Sequence, residues 1–443
     1  MSPAGVLRCG GCGWETQPGA VAFHCPRVGT DSGDHVLVPV LDPEVRWPDD
    51  HDPNPFVRYR RLLHTYSHWR AQGGSDAGWV DLVGELDARV AAVDGHGFRI
   101  TPTTVVGDAA GGAVIVKDET GNVGGSHKGR HLFSTLLALE TARRLGSDRR
   151  RPSDRPVLAI ASCGNAALAA AILARAADHR LRVFVPVWAD DALVRRLGDL
   201  GADVVRCPRL PGDTGDPSVL RFREAVAGGA VAFSCQGTDN ALAADGGRTL
   251  GWELADQLGP AGAARVVVQA GGGVLAASVF RALGEAAARG RLPLPRLYAA
   301  QAAGAAPLAR AWDRLTTRAE AAGWDRALAE AAADRGTVMW PWEGPASTAT
   351  GILDDETYDW LEIVRAAATS DGGVVTVSEA ALAGAVAESE AWGFDGIGPT
   401  GAAGLAGART HGPTGARTPG PTGAARTPRP TPGSTVVLFT GRS

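Results

Sequence analysis

Lysine is the scarcest charged residue in this chain: Lys117 and Lys128 stand against 42 arginines, 44 basic residues in all. Arginine therefore serves wherever a solvated positive charge is enough. It does not serve where a primary amine must lose its proton and attack a carbonyl, because guanidinium stays charged and forms no Schiff base. Both lysines fall in one segment, Lys117-Asp118-Glu119-Thr120-Gly121-Asn122-Val123-Gly124-Gly125-Ser126-His127-Lys128-Gly129-Arg130. A strand ends there, a Gly-rich loop follows, and Lys128 falls at the start of a helix. The positive potential of a helix amino end lowers a lysine pKa and favours the neutral amine. Free amides at the same end suit an anionic ligand. The competing reading, a surface lysine in a tight loop, is disfavoured by the excess of arginine.

Two further strand-to-helix turns carry small residues. In Ser162-Cys163-Gly164-Asn165-Ala166, backbone amides and the Ser162 hydroxyl can approach an anion, and the Asn165 amide can donate to a phenolate oxygen. An ordinary capped turn is the alternative. Gln269-Ala270-Gly271-Gly272-Gly273-Val274-Leu275 sets three glycines between a strand and a helix, a nest of amides suited to a phosphate monoester. A dinucleotide fingerprint is not met, since the next glycine after Gly273 is Gly284. The amino terminus adds Cys9-x-x-Cys12 and Cys25-Pro26, with Val28 where a fourth cysteine would complete the set. A structural zinc site wants four ligands, so His24 or His35 would have to substitute. The expectation is a degenerate ribbon without metal, with Cys9, Cys12 and Cys25 as its candidate cysteine ligands. Cys163, Cys207 and Cys235 read as small buried residues without ligand spacing.

The elements that must position these loops form a recurring theme. Val114–Val116 is a short apolar strand, and Leu132, Phe133, Leu136, Leu137 and Leu139 mark one stripe of a helix from about Ser126 to Gly146. Strands at 157–161, 181–187 and 202–205 alternate with helices at 166–177 and 192–200. Strands return at 265–269, 296–301, 374–377 and 436–439. Such alternation predicts an α/β fold with parallel sheets covered by helices. Acidic pairs such as Asp190-Asp191 and Asp354-Asp355 read as helix-start residues on solvated faces. Residues 408–434 are rich in Pro, Gly, Thr, Ala and Arg, and Gly-Pro-Thr-Gly-Ala recurs from Gly398, Gly412 and Gly420. That composition reads as a low-complexity insertion. A formal charge of −4 gives no footprint for nucleic acid or an anionic membrane. No run reaches the roughly 18 apolar residues of a membrane span. With no signal-peptide pattern and only six cysteines, a cytoplasmic protein is expected.

The run Lys-Asp-Glu-Thr, then Asn, then Gly-Ser-His-Lys is similar to the lysine segment of threonine synthase and its relatives. These are the pyridoxal-phosphate enzymes of fold type II, the tryptophan synthase beta superfamily. His127 stands where the family usually has Phe, and the His-Lys pair resembles that of the tryptophan synthase beta chain; Gly129 stands where the family usually has Asp. The resemblance implies that Lys128 binds pyridoxal 5'-phosphate as a Schiff base. It implies that Ser162, Cys163 and Gly164 grip the substrate carboxylate while Asn165 lies beside the ring oxygen. Gly271, Gly272, Gly273 and Val274 would cradle the phosphate. The terminal strand ends in Thr440-Gly441, and Thr440 is the implied partner of the pyridine nitrogen, with Thr400 the runner-up. Lys117 and Arg130 are candidates for contact with an anionic leaving group. Gln236-Gly237-Thr238 and Gly246-Gly247-Arg248-Thr249 also resemble loops bordering the site.

The fold so implied is two doubly wound α/β domains with the cofactor in the cleft between them. The expected division is 1–40 as a zinc-ribbon-like segment, 41–150 with 246–443 as the larger cofactor-binding domain, and 151–245 as the smaller one. The expected reaction is elimination or replacement at the β- or γ-carbon of a small amino acid, in a likeness to threonine synthase. A dehydratase or ammonia-lyase is the alternative, and the Gln-Ala-Gly-Gly-Gly loop resembles that of diaminopropionate ammonia-lyase. A catalytically silent homologue that binds a partner through residues 1–40 is the other. A homodimer is expected from the fold.

Overall fold

A computed structural model of the chain describes residues 5–107, 113–146, 155–213, 215–410 and 433–442. Strands β1 (Val6–Cys9) and β2 (Leu37–Val40) form an antiparallel hairpin with Cys9 opposite Leu37. Three helices, Pro55–Arg58, His64–Ala71 and Asp76–Asp94, follow it. The remaining strands are β3 (Thr103–Val106), β4 (Val114–Asp118), β5 (Leu158–Ala161), β6 (Leu181–Pro186), β7 (Asp203–Cys207), β8 (Val231–Ala232), β9 (Arg265–Gln269), β10 (Arg296–Ala302), β11 (Gly373–Val377) and β12 (Thr435–Phe439). They build a four-stranded sheet in the order β7-β6-β5-β8 and a six-stranded sheet in the order β11-β10-β9-β12-β4-β3. Every pairing in both is parallel except β3 with β4. Buried parallel strands need apolar residues on both faces. Val266-Val267-Val268 and Val436-Val437-Leu438 meet that need, each at most 1% exposed. The α/β class expected from the alternation is the observed one.

The topology fixes where the chemical loops go. In a parallel sheet the carboxyl ends of the strands share one edge, where ligands bind. The Lys117–Lys128 segment leaves β4, the glycine loop leaves β9, and Thr440 follows β12, which lies between them. In the other sheet, Ser162 follows β5 in the same sense.

Helix Lys128–Leu145 buries Leu132, Phe133, Leu136 and Leu137 completely, as the stripe predicted, while Leu139 of the same stripe is only partly buried. It packs against helix Leu242–Leu258. A side chain at Gly246 would place its first carbon 1.9 Å from the Arg130 carbonyl oxygen, and one at Gly247 would meet the His131 ring at 2.3 Å. The Gly246–Thr249 run is thus a close helix contact. The Gly-Pro-Thr-Gly-Ala copy from Gly398 opens helix Pro399–Thr410, so Ala408–Thr410 finish a helix rather than begin the insertion. Residues 411–432, with the copies from Gly412 and Gly420, lie outside the described residues. Among the described residues no helix is long and apolar enough to cross a membrane.

Candidate active site

The two lysines have opposite surroundings. Lys117 is wholly buried, and its Nζ donates to Glu253 Oε2 at 2.8 Å, to the Thr101 carbonyl at 2.6 Å and to Gln257 Oε1 at 3.0 Å. Burial pushes its pKa down, while Glu253 and Glu119 oppose that. Arg130 is equally buried. It donates to Glu119 Oε2 at 2.8 Å and to Oε1 at 3.0 Å, and to Thr249 Oγ1 at 3.1 Å. It also pairs with Glu253. The expected contact of Lys117 and Arg130 with an anionic leaving group is therefore corrected. They form one closed network with Glu119 and Glu253 that ties β4 to the two packed helices, and their charges are spent inside the core.

Lys128 begins its helix half-buried, and its amine has no hydrogen-bond or ion-pair partner among the described residues. Its charge is felt by His127, His131, Cys235 and Asp354. Burial first, and then Lys128, hold His127 well below the ordinary histidine pKa and take His131 down to about 3. Both rings are neutral at physiological pH, so each carries one donor and one acceptor nitrogen. His127 Nδ1 donates to the Thr440 carbonyl at 2.9 Å, and its backbone N–H reaches the same oxygen at 3.1 Å. An isolated bridge joins Ser126 to Gly441. The start of the lysine helix is thereby clamped to the end of β12.

Gln269, at the end of β9 and the first residue of the glycine-loop run, completes this corner, a role the motif itself does not assign. Its Nε2 lies within hydrogen-bond reach of Thr440 Oγ1 at 2.8 Å, the Gly401 carbonyl at 3.0 Å and the Thr400 carbonyl at 3.1 Å, which share its two hydrogens. Thr440 Oγ1 accepts, so its own hydrogen is left to donate. Thr400 sits farther out, where its hydroxyl accepts from Gly351 N–H at 3.0 Å. Asn165 reaches the same corner: its Nδ2 donates to the Arg442 carbonyl at 3.3 Å, and a side chain at Gly441 would meet it at 2.7 Å. Ser162, Cys163 and Gly164 precede it at the open amino end of helix Asn165–Ala176, with the Gly164 N–H on Ser162 Oγ at 3.3 Å.

The glycine loop turns with Gly273 at φ 104°, a left-handed conformation that glycine adopts without strain. Val274 then opens helix Val274–Ala288. The Gly272 N–H donates to Asp354 Oδ2 at 2.7 Å. A side chain at Gly271 would run into that carboxylate at 2.4 Å. The expectation that Asp354 is a solvated helix-start residue is thus corrected: burial pushes its pKa up, and the Lys128 ammonium opposes this. Asp190 does behave as expected, capping helix Asp191–Asp199.

At the amino terminus Cys9, Cys12, Cys25 and His35 converge, with one ligand atom of each within 4.8 Å of the others. His24 is not part of the group.

Residues 97–418 match the model of the family described as pyridoxal-phosphate dependent enzyme. No curated protein matches the chain. Solved structures share the fold. The processed form of threonine deaminase isoform 2 from Solanum lycopersicum is 17% identical with a TM-score of 0.55, covering 84% of this chain and 86% of its own. Maize serine racemase is 17% identical with a TM-score of 0.54, covering 82% and 93%. Diaminopropionate ammonia lyase from Escherichia coli is 17% identical with a TM-score of 0.56, covering 82% and 88%. The family match takes in every strand of the two larger sheets except β12, together with the lysine, serine and glycine loops just described, and on it the chain belongs to the family of pyridoxal-phosphate dependent enzymes.

Proposed function

We propose that the chain catalyses elimination or replacement at the β- or γ-carbon of a small amino acid, with Lys128 as the cofactor-binding lysine. One observation carries this reading. Of the two lysines, Lys117 is bound on three acceptors, whereas the Lys128 amine, at a helix start, has no partner among the described residues.

The surrounding groups fit pyridoxal phosphate. The glycine loop already holds an anionic oxygen, that of Asp354, on the Gly272 N–H, as it would hold a phosphate oxygen. Thr440 Oγ1 has a hydrogen to give because Gln269 supplies the bond it accepts. A hydroxyl partner leaves a ring nitrogen unprotonated, which favours elimination over chemistry that needs a strong electron sink. The bound cofactor supplies a conjugated ring that takes up the electron pair left when the substrate α-C–H bond breaks. Lys128 Nζ takes that α-proton as general base. The open amides after Ser162 hold the carboxylate. His127 and His131 stay neutral and add no charge to repel the lysine.

Acidic groups favour an amine or hydroxyl leaving group over a phosphate, the ammonia-lyase or dehydratase branch of this reading. Asp354 lies within electrostatic reach of Lys128, and Asp216 within reach of Asp355 and Cys163. With Lys117 and Arg130 in the core, the support for a phosphorylated substrate is withdrawn. The domain division given above, a cytoplasmic location and assembly as a homodimer belong to the same proposal.

The test is spectroscopic and then kinetic. Purified protein given pyridoxal phosphate turns yellow, and Lys128→Ala abolishes the visible band. Turnover is then compared for 2,3-diaminopropionate, serine, threonine, acetylserine, phosphoserine and phosphohomoserine, with the first three expected to lead. A colourless wild type overturns the reading and favours a silent homologue. A yellow Lys128→Ala variant reassigns the lysine.

A further inference from the structure

We propose that Cys9, Cys12, Cys25 and His35 bind a zinc ion, and that this centre braces the glycine loop of the active site. Cys9 ends β1 and His35 lies two residues before β2, so the hairpin register sets them side by side. Cys12 comes from the turn after β1, where Gly13 has φ 72°, and Cys25 from the long connection before β2. Cys12 Sγ and Cys25 Sγ are 3.7 Å apart, Cys9 Sγ is 3.6 Å from His35 Nδ1, and Cys25 Sγ is 3.8 Å from it. Tetrahedral zinc with bonds of about 2.3 Å to sulfur and about 2.0 Å to nitrogen sets sulfur–sulfur edges of about 3.8 Å and sulfur–nitrogen edges of about 3.5 Å. These three separations match those edges, and the remaining pairs lie within 4.8 Å. They are far too long for a disulfide, whose sulfurs lie about 2.0 Å apart.

The outer contacts are those a metal site needs. His35 Nε2 lies 2.7 Å from Asp31 Oδ1, and Asp31 is itself held by the Gly33 N–H at 2.8 Å. A carboxylate on that nitrogen fixes the imidazole tautomer, so Nδ1 presents its lone pair to the metal. The Cys12 N–H points at Cys9 Sγ at 3.4 Å, a bond that favours thiolate. Cys9 and Cys25 are at most 1% exposed, and Cys12 alone opens to solvent, an entry path for the ion.

The same hairpin touches the active-site scaffold. Asp34, adjoining His35, is buried and accepts from Trp360 Nε1 at 3.0 Å. Trp360 begins helix Trp360–Thr369, and the N–H of Asp359 just before it donates to the Gly272 carbonyl at 3.1 Å. A side chain at Gly273 would meet Asp359 Cβ at 3.3 Å. Asp34, Trp360, Asp359 and Gly272 thus form a contiguous path from the four ligands to the glycine loop. Filling the centre fixes the far end of that path.

Elemental analysis of the purified holoenzyme tests the metal, with close to one zinc per chain expected. Cobalt exchange then gives the intense visible absorption of a tetrahedral thiolate site. Cys12→Ser abolishes stoichiometric binding. Asp31→Asn keeps all four ligands and lowers zinc affinity roughly tenfold to a hundredfold, which answers the case in which Cys12→Ser fails to fold. Absence of metal from zinc-supplemented protein, or zinc affinity unchanged in both variants, overturns the site. For the brace, zinc is removed by chelation and pyridoxal phosphate affinity is read by fluorescence titration. A several-fold loss is expected, with a like loss in zinc-loaded Trp360→Phe. Unchanged affinity in both overturns the brace.

Discussion

Gln269 Nε2 donates to Thr440 Oγ1 at 2.8 Å, so the last strand of the sheet ends in a hydroxyl whose own proton is free to be given away. If Thr440 meets the ring nitrogen, Thr440→Ala removes one neutral hydrogen bond, about 1 kcal/mol, or roughly a fivefold loss of cofactor affinity. Gln269→Leu has a comparable effect by freeing the hydroxyl to turn. Thr400→Ala leaves the Gln269–Thr440 bond in place and is expected to have no such effect. Fluorescence titration with pyridoxal phosphate reads all three. A loss confined to Thr400→Ala would hand the role to Thr400.

Lys117 separates structure from chemistry. Lys117→Met leaves Glu253 with Arg130 as its remaining cation. Breaking a buried pair in this way costs on the order of 3–5 kcal/mol. Lys117→Arg keeps the charge but adds bulk at a site with no exposure, at a cost of about 1–3 kcal/mol. Both variants are expected to unfold at lower urea yet bind pyridoxal phosphate and turn yellow. Wild-type stability with lost turnover would instead return Lys117 to the substrate site.

These contrasts mark what the sequence could reveal. β9 is found at 265–269 as expected, and the helices after Ser126 and Ser162 start within a residue or two of their expected positions. Buried parallel strands and one-sided helices leave their periodicity in the chain. The glycine loop and the Ser-x-Gly-Asn turn are legible because small residues at strand ends are themselves the signal. A charge carries no such mark of its surroundings. Lys117 meets Glu253 across 136 residues, a pairing no local pattern contains. Asp354 looks like any helix-start acid until the glycine loop is folded beneath it. His35 can be recognised as the fourth ligand beside the cysteines only through the hairpin register, and Gln269 only through the carbonyls around its amide.

Asp359 gives the fold a pH dependence. It is 4% exposed, one of its oxygens lacks a partner among the described residues, and burial pushes its carboxyl up to about 8. In the unfolded chain an aspartate titrates near ~3.9. The folded state therefore holds a proton that the unfolded state has lost between these values. Its stabilising contribution is complete below about pH 4 and disappears as pH rises through about 8, at up to about 1.4 kcal/mol per pH unit. Thermal melts should show Tm falling from pH 5 to pH 8, and Asp359→Asn should flatten that fall and be the more stable protein at pH 8. Parallel melting curves would remove Asp359 as the source.

If the glycine loop cradles the phosphate, Asp354 and a phosphate oxygen compete for the same Gly272 N–H. Cofactor binding must therefore turn the carboxylate aside, and a bond between an amide and a charged group is worth about 1.5–3 kcal/mol. Asp354→Ala is expected to bind pyridoxal phosphate at least tenfold more tightly, as read by fluorescence titration. The displaced carboxylate still lies near Lys128, where it can hold an ammonium on the substrate side chain. In the variant, kcat/KM for 2,3-diaminopropionate should fall by at least tenfold while that for serine changes little. The two readouts are independent. Weaker cofactor binding would mean that Asp354 shapes the loop rather than competing for it. An equal loss with both substrates would mean that its charge supports Lys128 and does not select the leaving group.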